Sequence, residues 1–99
     1  MIKVGVFYPK TSKFDWTYYM TKHTPMIQRL LGFALKKVEI DEGVAGPGAP
    51  VTYTAVCQLQ FESVEAFQKA FGPHAAEIMG DIKNYTDVQP IVQISNVRM

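Results

Sequence analysis

Tyr53-Thr54-Ala55-Val56-Cys57-Gln58-Leu59-Gln60-Phe61 is the stretch that decides the fold class. Tyr53, Ala55, Cys57, Leu59 and Phe61 fall on one side of an extended chain, and Thr54, Val56, Gln58 and Gln60 on the other. This period-two pattern belongs to a strand with one covered face. Downstream, Ser63 is placed to cap a helix, with Glu65 in its first turn and Val64, Phe67 and Phe71 as the inner stripe. Gly72-Pro73 interrupts that helix, and Pro73 can open a further turn running through Ile78 and Met79. A last strand near residues 88–98 mixes Ile91, Val92, Ile94 and Val97 with Gln89 and Gln93, and Pro90 within it calls for an edge position or a bulge.

Upstream, residues 43–50 (Gly-Val-Ala-Gly-Pro-Gly-Ala-Pro) read as a loop. Residues 35–42 form a strand whose Lys36, Lys37, Glu39, Asp41 and Glu42 suit an exposed sheet edge, where charge discourages unwanted pairing. Gly32 ends the helix before it, and Asp15 can cap that helix's start. At about 100° per residue, Trp16, Tyr19, Met20, His23, Met26, Ile27, Leu30 and Leu31 gather into one stripe while Tyr18, Lys22 and Arg29 point away. Pro25 has no amide to bond back to Thr21, which predicts a kink or short break beside His23. Residues 2–8 alternate with Ile2, Val4, Val6 and Tyr8 on one side, a first half-covered strand.

The order is β-α-β, a loop, and β-α-β. It predicts an α+β, ferredoxin-like βαββαβ domain over residues 1–99, with a four-stranded antiparallel sheet and two helices on one face. The uncovered face would carry Phe7, Val56, Gln58, Ile91 and Gln93, too apolar in aggregate for open water. A second copy stacking sheet to sheet would cover it, so a homodimer closed into a barrel is expected.

With 47% apolar and 19% charged residues, the 99-residue chain has ordinary globular composition and enough length for one core. A net charge of +1, with its cations scattered, offers no stripe for a phosphate backbone, so nucleic acid is not an expected partner. The single Cys57 excludes an internal disulfide and fits a reducing, cytoplasmic setting. No apolar run is long enough to span a membrane. No GxGxxG, P-loop, HExxH or GxSxG motif occurs, so the sequence calls for no nucleotide, metal or serine nucleophile, and no cofactor is expected.

The spacing Phe14-Asp15-xx-Tyr18-Tyr19-xxx-His23-x-Pro25-Met26 resembles the first-helix signature of the EthD family. Pro73-His74-Ala75-Ala76-Glu77-Ile78-Met79-x-Asp81-Ile82-x-Asn84-Tyr85-Thr86-Asp87 resembles its second signature, and Gln93-Ile94 its last strand. The resemblance implies a dimeric α/β barrel with a cavity between the helices and the sheet of each subunit. Its superfamily includes cofactor-free monooxygenases, lactone isomerases, polyketide cyclases and proteins without known chemistry, so shape alone does not assign a reaction.

His23 is the leading candidate for chemistry, because an imidazole on an apolar stripe beside a helix break can move a proton near neutral pH. The competing reading is a packed histidine that satisfies a carbonyl released by Pro25. Tyr19, one turn earlier, can orient a substrate or the imidazole through its hydroxyl, or simply fill the core. Trp16, Phe67 and Phe71 are core residues that can double as cavity wall. His74 is a further candidate for substrate contact; it opens a helical turn, where the dipole disfavours added positive charge, and the competing reading is a neutral, packed histidine. Asp81 is a possible histidine partner, although no spacing shows that the two meet. Asn84 and Tyr85, in the same stretch, read as turn and capping residues.

The expected activity is that of a cofactor-free enzyme for a small apolar carbonyl, lactone or aromatic compound, with His23 as general acid or base. The alternative is a small-ligand carrier with the same cavity and no turnover. A haem-dependent monooxygenase has the least support in a chain with two histidines.

Overall fold

The protein is described by a computed structural model covering residues 1–99. Strand β1 (Ile2–Pro9) is followed by one helical segment in three parts: α1 (Trp16–Tyr18), a π-helical turn (Tyr19–His23) and α2 (Thr24–Leu31). A 3-10 turn (Gly32–Ala34), β2 (Lys37–Glu42) and β3 (Tyr53–Phe61) come next. The second helical segment comprises α3 (Val64–Phe71), a 3-10 turn (Gly72–His74) and α4 (Ala75–Gly80); a further 3-10 turn (Ile82–Asn84) leads towards β4 (Ile91–Asn96).

The four strands pair antiparallel in the order β2-β3-β1-β4, which places β3 and β1 at the centre. The charged strand and the proline-led strand take the edges, where an unpaired row of backbone groups tolerates both features. Val4 lies opposite Leu59 and Ile94, and Val6 opposite Cys57 and Val92. Ile2, Val4, Cys57, Leu59 and Phe61 pack with Ile27 and Leu31 of α2 and Ile78 of α4 into one buried cluster. Both helical segments therefore cover the same face of the sheet. Fully burying side chains of this kind stabilises by roughly 1.5–3 kcal/mol each before the entropy of ordering is set against it.

On the opposite face, Phe7 lies across from Val56 and Ile91, and Gly5 across from Gln58 and Gln93. Phe7 folds over Gly5, where a Cβ would stand 2.6 Å from its ring. This face carries the mixed set anticipated from the alternation of the strands.

The caps form as the sequence indicates: Asp15 accepts from the Tyr18 amide, and Ser63 from the Ala66 amide, each at 3.0 Å. Five details differ from the sequence reading. β4 is limited to Ile91–Asn96, and β2 begins at Lys37 because a 3-10 turn occupies the residues after Gly32. Pro25 causes no break; the helix runs through it by widening one turn, with the Thr24 amide donating to the Tyr19 carbonyl five residues back. A π-turn holds an extra residue and so rotates the stripe. Met20 becomes 48% exposed, whereas Tyr18 turns inward to half-buried. Val64 lies at the surface, and Phe67 and Phe71 form the inner side of α3.

Candidate functional site

The widened turn determines where the imidazole of His23 goes. His23 ends that turn, is only 1% exposed, and sits with Nδ1 2.8 Å from Oδ2 of Asp81, the C-cap residue of α4. The other carboxylate oxygen, Oδ1, accepts from the Tyr18 hydroxyl at 2.6 Å and from Asn84 Nδ2 at 2.8 Å. The remaining ring nitrogen, Nε2, faces the Tyr85 hydroxyl at 3.4 Å, and that hydroxyl lies 2.7 Å from the hydroxyl of Tyr8. One polar chain thus runs from β1 through the turn after α4 and the first helical segment to the carboxylate.

Backbone contacts hold the chain in register. The Asp15 amide donates to the Tyr85 carbonyl at 2.7 Å, and Thr86 Oγ1 donates to the Lys13 carbonyl at 2.7 Å. Tyr19 stacks on the imidazole with ring centres 5.5 Å apart and planes 18° apart, and Tyr85 tilts against it at 4.6 Å. Aromatic contacts of this kind leave the imidazole little freedom to change rotamer.

The charges follow from burial and hydrogen bonding. Partial burial pushes the Asp81 carboxyl upward, but bonds from Tyr18, Asn84 and His23 outweigh it, and the pKa is held below the usual aspartate value. Burial lowers the His23 pKa, and Asp81 opposes that shift without cancelling it. An ionised carboxylate only accepts hydrogen bonds, so in neutral His23 the proton resides on Nδ1 and Nε2 is bare. Burial raises the phenol pKa of Tyr8, Tyr19 and Tyr85, which stay protonated at physiological pH. It also pushes the Cys57 thiol up to about 11, leaving no reactive thiolate.

Between sheet and helices lies a cavity of about 260 Å³. Val4, Val6, Cys57 and Leu59 border it from the sheet, with Ile27, Leu31, Phe67, Phe71, Ile78 and Met79 from the helices. Tyr8, Tyr19 and His23 also line it, and Pro90 and Val92 place it next to the β4 edge. No three His, Cys, Asp or Glu side chains converge closely enough to hold a metal ion.

Residues 9–89 match the model of the EthD domain, which is most of the chain. The chain belongs to the EthD family. A crystal structure of an EthD-like protein from Ralstonia eutropha JMP134 superposes with a TM-score of 0.92 at 44% identity, covering 99% of this chain and 92% of that one. An ethyl tert-butyl ether degradation (EthD) family protein from Bacillus halodurans C-125 shares the fold at a TM-score of 0.75 and 16% identity, with 98% of each chain covered. No curated protein matches the sequence.

In this EthD chain, His23, Tyr19, Phe67 and Phe71 border the cavity, while Trp16, His74 and Asp81 do not. Trp16 packs against Phe14 and Tyr19, one layer away from the cavity, because the π-turn rotates the residues after it relative to those before it. His74 lies in the 3-10 turn before α4, apart from the polar chain. Asp81 reaches the site through His23. Four residues of the network were not singled out from sequence for chemistry: Tyr8, read as part of the strand's apolar face, Tyr18, read as pointing outward, and Asn84 and Tyr85, read as turn chemistry. The available signal was the concentration of tyrosines around both family signatures, which composition alone does not distinguish from core aromatics.

Proposed function

We propose that this protein is a cofactor-free enzyme acting on a small, largely apolar compound, with His23 as the general base or acid. The observation that carries the reading is the Asp81 carboxylate 2.8 Å from Nδ1 of a buried imidazole on a cavity wall. Asp81 holds the tautomer with bare Nε2, which is the form that can accept a proton, and it stabilises the imidazolium that results. Tyr19 stacks on the ring and maintains its orientation. The apolar walls exclude water and favour binding of a compound of one or two rings, since a cavity of roughly 150 Å³ already holds benzene.

Turnover of a panel of small lactones, phenols and polyketide-like aromatics tests the reading. His23→Asn is expected to fold and to lower kcat/KM by roughly a hundredfold or more on whichever member is turned over. The wild-type rate should fall on the acidic side as His23 is protonated, with that limb below the usual histidine range because burial lowers the pKa. A carrier without turnover is favoured by the tight packing of Tyr19 and Tyr85 against the imidazole. It predicts ligand binding with no turnover by any panel member, and His23→Asn weakening binding alone.

A further inference from the structure

One carboxylate sets the direction of every proton along the polar chain, and that direction specifies the ligand. Both groups on Oδ1 of Asp81, the Tyr18 hydroxyl and Asn84 Nδ2, can only be donating to it, and Nδ1 of His23 donates to Oδ2. Nε2 must then accept, so the Tyr85 hydroxyl at 3.4 Å donates towards it. With its own proton committed, the Tyr85 oxygen must accept across the 2.7 Å contact, and Tyr8 is the donor. Tyr8 borders the cavity and has no proton left to offer, only lone pairs. We infer that Tyr8 is a hydrogen-bond acceptor for the ligand and that the cavity takes an apolar ring compound bearing an O–H donor, a phenol or an enol, rather than one bearing only a carbonyl or ether oxygen. The inference deepens the acid/base reading of His23 and rests on it for the proton transfer, though not for the binding preference.

The proton transfer follows the same chain in balance. The ligand O–H proton passes to the Tyr8 oxygen, the Tyr8 proton to Tyr85, and the Tyr85 proton to Nε2 of His23. The products are a ligand oxyanion, now receiving a hydrogen bond from Tyr8, and an imidazolium paired with the Asp81 carboxylate. Tyr85 is a positioning residue in this scheme and touches no ligand.

Binding of 2-naphthol and 2-methoxynaphthalene to the whole protein, by calorimetry, tests the preference without requiring turnover. The two probes share a ring system and an accepting oxygen, and only the naphthol donates. Wild type should bind 2-naphthol on the order of tenfold more tightly, the worth of one buried hydrogen bond. In Tyr8→Phe the ratio should fall to near one. Asp81→Asn provides a second, independent reading. Tyr18 and Asn84 keep the amide oxygen on their side, so its NH2 faces Nδ1 and moves the imidazole proton to Nε2. Tyr85 and Tyr8 then reverse, Tyr8 donates, and the ratio again approaches one. Histidine 15N resonances should report Nδ1–H in wild type and Nε2–H in Asp81→Asn, and they decide the matter if Tyr8→Phe does not fold. Equal binding of the two probes, binding of neither, or Nε2–H in wild type overturns the inference. Preferential naphthol binding without any turnover would sustain it while removing the catalytic reading.

Discussion

At His23 two effects oppose each other, and their balance makes stability depend on pH. Burial disfavours the imidazolium and Asp81 favours it; burial wins, so the folded pKa lies below the unfolded value of 6.5. Between the two values the unfolded chain binds more protons, and stability rises with pH there. The contribution is therefore complete above the unfolded value and is lost as pH falls towards the folded one. Asp81 adds a loss at still lower pH, since its folded pKa is also depressed, below 3.8. The melting temperature is expected to drop on acidification from neutrality to mildly acidic pH, and His23→Asn should flatten that part of the curve. Thermal melts across the range check this, and an unchanged slope in the variant would assign the acid sensitivity elsewhere. At Phe61, which is fully buried in the centre of the core, truncation to Ala is expected to cost about 3–5 kcal/mol in chemical denaturation. A loss under 1 kcal/mol would mean that the core collapses around the vacancy.

Among the elements, the first helical segment is the one whose local irregularity places the site. In a regular α-helix the Pro25 ring would press on the carbonyl of Thr21, and the π-turn of Tyr19–His23 relieves this by lengthening the ring of bonded atoms just before it. Tyr19 and His23, one turn apart, lie on the inner face of the segment with their rings stacked. Pro25→Ala removes the steric cause and supplies an amide, so the segment can relax towards α-geometry. The fold should survive with a melting temperature within a few degrees of wild type, given that one surface position rarely changes more, while the His23 side-chain resonances shift. Unmoved resonances would mean that the His23–Asp81 contact, rather than Pro25, holds the turn open.

For the whole molecule the open face of the sheet governs behaviour. Phe7, Val56 and Ile91 form one row across β3, β1 and β4, and Ile91 is 54% exposed in the isolated chain. A homodimer through this face is expected, with an interface of roughly 2,000 Å² or more if two sheets close into a barrel. Light scattering should report twice the 11.1 kDa chain mass. Val56→Lys, which sets a charge in the middle of the row, should shift the population to monomer and make unfolding independent of concentration. A wild-type monomer at micromolar concentration would exclude this arrangement.

The sequence by itself determined the strands, their faces and the edge positions, because those depend on alternation, proline and charge, which act over a few residues. Its helix caps at Asp15 and Ser63 were legible for the same reason. The π-turn was legible only as a disturbance at Pro25. Whether a helix breaks or widens there depends on what its two ends pack against, and those contacts are tertiary. The acid/base pair was beyond reach: His23 and Asp81 are 58 positions apart, and their meeting depends on both helical segments lying on one face of the sheet. Tyr8 and Tyr85, 77 positions apart, meet for the same reason. Tertiary packing alone decided that these tyrosines are partners of an imidazole, because hydrogen bonding needs atoms within about 3 Å in a fixed direction, and no short-range pattern encodes that.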